Sequence, residues 1–163
     1  MYYSYINHDK RQYFTSGLWA HGVRFNYVGR GPGARALAIL LSELGTWRND
    51  RISVMGDDGV DSEEFAVIFR EYVDVEVEAQ LLLIDVDGLD WISKEIDESQ
   101  LVLVDLCQFA IYFRHPKVIA LLDSKYGVGV WQKNYEKHLR RYADSTSTQR
   151  FINAANRNLK LLK

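Results

Sequence analysis

The hydrophobic rhythm of this chain changes part-way along, and that change narrows the folds open to it. Near the N-terminus the period is two. Tyr2 to Ile6 and Gln12 to Thr15 are rich in aromatic residues and flank a polar Asn7-His8-Asp9-Lys10 break, the pattern of a hairpin. Val23, Phe25 and Tyr27 alternate with Arg24 and Asn26, which predicts a half-buried strand ending at Gly29. Ala36, Leu37, Ile39, Leu40, Leu41 and Leu44 then fall on one helical face, so a helix is expected over 34–44 with Gly45 as its stop. Arg51 to Met55 reads as a short strand closed by a Gly56-Asp57-Asp58-Gly59 turn. Asp61 or Ser62 next offers an N-cap to a helix whose buried side is Phe65, Ile68, Phe69 and Tyr72. Val73, Val75 and Val77 alternate with Asp74, Glu76 and Glu78, which predicts a strand with a carboxylate row on one face, extended by or paired with Leu81 to Val86.

Beyond residue 100 the helical period dominates. In the run from Leu101 to Phe113 the polar residues Asp105, Gln108 and Tyr112 lie three and four apart, which favours a buried helix over a strand. Pro116 suits the first turn of a helix ending near Tyr126-Gly127. Trp131, Tyr135, Leu139 and Tyr142 form an aromatic stripe at helical spacing. Thr146 and Gln149 match a capping box ahead of Phe151, Ile152, Ala155, Leu159 and Leu162. Strands first and helices later predict an α+β fold: an N-terminal antiparallel sheet with a hairpin and one or two packed helices, and a mainly helical C-terminal half. No repeat or linker interrupts the sequence, so 1–163 is expected to be a single domain, strand-rich over 1–90 and helix-rich over 91–163.

With 47% hydrophobic residues the chain can build a core without disulfides or a structural metal. Its single cysteine, Cys107, rules out an intrachain disulfide. The opening MYYSYINHDKRQ lacks the pattern of a signal peptide. No apolar run approaches the ~20 residues of a membrane span. The expectation is a cytoplasmic protein with no membrane association. Charge is distributed unevenly. Asp57 to Glu98 carries fifteen acids and two bases, whereas Arg114 to the end carries eleven bases and three acids. Such a contrast can mark a binding surface, although acidic and basic faces can also neutralise each other.

Three segments, YINHDKRQYF at 5–14, GVRFNYVG at 22–29 and ALAILLSELGTWRNDRISVMGDD at 36–58, carry a family pattern. They resemble an uncharacterised family of small bacterial proteins. That family opens with an N-H/L-x-K-K/R-x-Y strand and has a helix followed by a W-x-G/N-D-R-I strand and a GD turn. The matching positions are Asn7, Lys10, Arg11, Tyr13, Trp47, Asp50, Arg51, Ile52, Gly56 and Asp57. The match covers about residues 5–58. It implies a bacterial or phage-borne protein and carries over no catalytic residue.

Five groups of residues have chemistry to offer. Gly29, Arg30, Gly31, Gly33 and Arg35 could hold an anion at a helix start. Their G-x-G-x-G spacing is neither a dinucleotide fingerprint nor a P-loop, so a tight turn before a core helix explains them as well. Asp57, Asp58, Asp61, Glu63 and Glu64 lack the register of a calcium loop and read as an acidic turn with an N-cap. Cys107 sits in the most apolar run and is expected in the core rather than paired with His115 or His138. The basic C-terminal helices lack a stacking platform, because Trp131 and Tyr135 are better used inside, so nucleic acid is not the expected partner. The last group is the carboxylate set Asp74, Glu76, Glu78, Asp85 and Asp87, which could steer a basic protein partner.

No nucleophile–base pair, metal set or cofactor loop assembles from these spacings. The expected function is therefore binding of another macromolecule through the acidic segment, without catalysis or cofactor, in the manner of immunity-type or phage-defence proteins. The alternative is a binder or enzyme for a phosphorylated or anionic small molecule at Gly29 to Arg35. Self-association is open under either reading.

Overall fold

The computed structural model describes residues 3–16, 18, 31–56, 62–93, 100–142 and 146–163. The strand expected from Val23 to Gly29 lies outside the described residues, as do Asp57, Asp58 and Gly59 of the expected turn and the N-cap candidate Asp61. The fold is α+β. The chain divides into two compact units, Met1–Val86 with Leu159–Lys163, and Asp87–Asn158.

The first unit is built on a four-stranded sheet. Strands β1 (Tyr3–Asn7) and β2 (Gln12–Thr15) form the expected antiparallel hairpin, with Tyr5 opposite Phe14 and Ile6 opposite Tyr13. Strand β3 (Ile52–Gly56) pairs antiparallel with β1. The two-residue β4 (Val73–Asp74) pairs parallel with β2, giving the order β3-β1-β2-β4. The middle strands are buried on both faces, which is why four successive residues of β1 are inaccessible. On one face Phe14 packs between Tyr5 and Trp47, with ring centroids 5.2 and 5.5 Å away. On the other, Ile6, Tyr13 and Met55 pack with Ile68 of helix α2 (Ser62–Glu71), and Phe65 and Tyr72 flank them.

Helix α1 spans Gly31–Leu41, so it starts three residues before the predicted 34 and stops short of Gly45. Gly31, Pro32 and Gly33 are thus the first turn of the helix itself. Gly33 is buried, and a Cβ there would overlap the backbone carbonyl of Ser16. Glycine is required at that position because helix and hairpin backbones touch.

The largest departure from expectation is at 73–87. The strand stops after Asp74, and helix α3 runs from Glu76 to Asp87. Val75 donates its N–H to Tyr13 O at 2.8 Å, the last tie to the sheet. The Asp74 carboxylate then accepts the Glu76 N–H at 2.9 Å, an Asx turn that starts the helix. Val-acid alternation imitated a strand, but Val77, Ala79, Leu82, Leu83 and Ile84 are all buried from a helix.

Among its described residues the second unit has helices and no strand: α4 (Asp90–Ser93), α5 (Gln100–Tyr112), α6 (Pro116–Tyr126), α7 (Val130–Tyr142) and α8 (Thr146–Arg157). The run at 101–113 is a helix, as its polar spacing predicts. Helix α5 packs against α6, α7 and α8. Phe109 at its centre meets Phe151 of α8 edge-on, with ring centroids 4.8 Å apart. Pro116 occupies the first turn of α6, and His115 caps it by accepting the Val118 N–H on Nδ1 at 3.4 Å. Trp131 and Tyr135 are buried, the expected role of the aromatic stripe. Gln149 does not reach back as a capping-box residue. Its Nε2 donates forward to Asn153 Oδ1 at 2.9 Å, one helical turn on.

Candidate functional site

Helical geometry brings together residues that a strand would have kept apart. Glu78, Leu81, Leu82 and Asp85 occupy positions i, i+3, i+4 and i+7 of α3, a single face. Facing them is the segment from Leu159 to Leu162, and together they enclose a cavity of about 250 Å³. The segment is held in place by backbone bonds to the loop after α1. Thr46 N–H donates to Leu161 O at 3.0 Å, Lys163 N–H donates to Leu44 O at 2.8 Å, and Gly45 bridges to Leu162.

The cavity is mainly leucine, with charge on its walls from Glu78, Asp85 and Lys160. Glu78 is buried at 4% exposure, whereas Asp85 is open to solvent. Asp85 and Asp87 lie in the last turn of α3, where no basic side chain is present.

The predicted partner-binding set is therefore rearranged. Asp74, Glu76 and Glu78 do not form a row along a sheet face, because only Asp74 belongs to a strand. Asp74 is occupied in starting α3, and Glu76 is its first residue. Glu78 and Asp85 meet at one cavity. Asp87 is exposed and does not line it. Of the alternative anion site, Gly29 and Arg30 lie outside the described residues. Gly33 faces the Ser16 backbone, while Arg35 is exposed two residues on, so the two do not share a face. Among the described residues no three His, Cys, Asp or Glu side chains group as a metal site.

A polar network at the end of the sheet was not expected as a unit, although Asn7, Lys10, Trp47, Asp50 and Arg51 stand among the matching motif positions. Asn7 Nδ2 donates to Asp50 Oδ2 at 2.7 Å, and Lys10 Nζ reaches the same oxygen at 2.5 Å. Asn7 Oδ1 accepts the Lys10 backbone N–H at 2.9 Å, which closes the hairpin turn. The Arg51 guanidinium pairs with Asp9 at 2.8 Å. The buried Trp47 indole N–H donates to Gln12 Oε1 at 2.8 Å. Desolvation works to raise the Asp50 carboxyl, but hydrogen bonds from Lys10 and Asn7 outweigh it and hold Asp50 below its ordinary value. Asp9 is held down chiefly by the Arg51 backbone N–H and then by its side chain. His8 Nε2 shares a hydrogen bond of 2.7 Å with Ser53 Oγ, and His8 Nδ1 lies 3.4 Å from the Tyr72 hydroxyl. None of His8, Ser53 and Tyr72 lines the α3 cavity. The network fastens the β1–β2 turn to the segment entering β3.

Cys107 is 4% exposed, and desolvation pushes its thiol up to about 12, so it stays protonated and unreactive near neutral pH. Among the described residues no helix is long and apolar enough to cross a membrane. No protein-family model matches the chain, and no curated protein or solved structure is significantly similar to it.

Proposed function

We propose that this protein acts by binding a basic protein partner, with a lysine or arginine side chain of that partner entering the α3 cavity. The observation that carries the reading is the pairing of chemistries in that cavity. Leucines suit the aliphatic stem of a long basic side chain, while Glu78 and Asp85 suit its charged head. The segment from Asp57 to Glu98 carries fifteen acids against two bases, an excess of negative charge that attracts cations. Inhibitors of the immunity or phage-defence type, which cover a basic surface of a toxin or nuclease, work through this kind of contact.

The test uses an octa-arginine peptide and the full chain in titration calorimetry. Affinity should fall steadily as salt rises, because screening weakens exposed charge pairs. Asp85→Lys should weaken binding on the order of five-fold, the scale of exposed ion pairs. Affinity that ignores both salt and Asp85→Lys would overturn the reading.

A further inference from the structure

The helical unit contains a second cavity, of about 140 Å³, between α5, α6 and α7. On α7, Trp131, Asn134, Tyr135 and His138 fall at i, i+3, i+4 and i+7, and all four line it. From α5 come Leu103, Val104 and Cys107. The interior is apolar and aromatic, with Cys107, Trp131 and Tyr135 each buried. Two of its walls are fixed in place. Trp131 Nε1 donates to Asp123 Oδ1 at 2.7 Å, and Tyr135 hydrogen-bonds Tyr112, so neither ring swings to fill the space. Lys137 and Asn134 are exposed, so they mark its mouth, and His138 stands half-buried beside them. No carboxylate lines this cavity.

These features point to a ligand of one kind. A cavity of roughly 150 Å³ is about the size that holds one benzene ring. A preformed pocket with a few polar groups at its rim is also the usual form of a small-molecule site. We infer that this cavity binds a single-ring aromatic carboxylate, with its ring among Leu103, Val104, Trp131 and Tyr135 and its carboxylate at Lys137 and His138. The Lys137 ammonium supplies charge complementarity, and the Asn134 amide and His138 ring supply hydrogen-bonding groups. Cys107 contributes shape and no chemistry. This site is separate from the acidic cavity of α3 and is independent of the proposal made for it.

The probe is benzoate, titrated into the full chain and followed by ligand-observed NMR and thermal stability. Benzoate is expected to bind and to raise the melting temperature, because a ligand of the folded state must stabilise it. Benzyl alcohol, with the same ring and no charge, should bind more weakly. Lys137→Ala, at an exposed position, should weaken benzoate about two- to five-fold and leave benzyl alcohol unchanged. Leu103→Phe fills the cavity and should abolish both. Failure of benzoate to bind at millimolar concentration overturns the inference. So does benzoate affinity that survives Leu103→Phe in a folded variant. Equal binding of the two ligands, or indifference to Lys137→Ala, overturns the assignment of an anionic ligand.

Discussion

In the unit built on the sheet, buried polar side chains come with partners. Asn7, fully inaccessible, holds Asp50 and the turn backbone, and Gln12 holds the Trp47 indole. Among the described residues of that unit, the unpartnered buried side-chain atom is Ser16 Oγ. In the helical unit, Gln108 is equally inaccessible, yet neither its amide oxygen nor its nitrogen meets a partner. The sheet must fix a strand register, and a satisfied polar network does so because any slip breaks it. Helices satisfy their own backbones, so their packing rests on apolar surfaces such as Phe109 against Phe151 and needs no such key. Polar pairing is thus concentrated in the unit where register matters.

The strongest challenge to this contrast is to remove one buried ring from each unit. Phe14→Ala and Phe109→Ala both empty fully buried sites, and each should cost about 3–5 kcal/mol in urea unfolding. A cost confined to one unit would show that the other is not held by its apolar core. Asn7→Ala comes next. It removes a hydrogen bond to a charged group and unties the turn, at a cost of about 1.5–3 kcal/mol. Gln108→Met should act in the opposite direction, raising the unfolding free energy in urea by about 1–2 kcal/mol, because it removes an unsatisfied buried amide at similar volume. A loss of stability in that variant would mean that Gln108 is needed where it stands. The smallest effect concerns acid. Asp50 is depressed in the folded state, so its contribution is present above its ordinary value of 3.8 and is lost as pH falls through the folded value. Asp50→Asn should flatten that part of the acid limb in a pH series of unfolding curves.

Much of the architecture was legible in the residues. The hairpin followed from aromatic strands around a polar break, α5 from the spacing of its polar residues, α6 from Pro116, and α7 and α8 from apolar residues at helical spacing. The misreading at 73–78 has a local cause. Three valines alternating with three acids satisfy a strand pattern, and the decision for a helix rests on Asp74 catching the Glu76 N–H. Once that segment is helical, the seven-residue spacing of Glu78 and Asp85 becomes meaningful, but a strand reading hides it. The other half of that cavity comes from residues 159–162, far along the chain, and no local pattern announces it. The same holds for Cys107 and His138, which share a cavity only because α5 packs on α7. The sheet-end network was half visible. Asn7, Lys10, Trp47, Asp50 and Arg51 stood among the matching motif positions, while Asp9, Gln12 and His8 did not, and the pairing across the hairpin and β3 needed coordinates.

The return of residues 159–163 to the sheet unit has a bearing on synthesis. Residues 87–158 emerge from the ribosome between the two pieces of that unit. At about 5–20 residues per second this takes roughly 4–14 s. During that interval the loop after α1 lacks the strand-like partner that Leu161 and Lys163 later supply to Thr46 and Leu44. The nascent sheet unit must wait with that seam open while the helical unit, complete in sequence once Asn158 is added, is free to fold first.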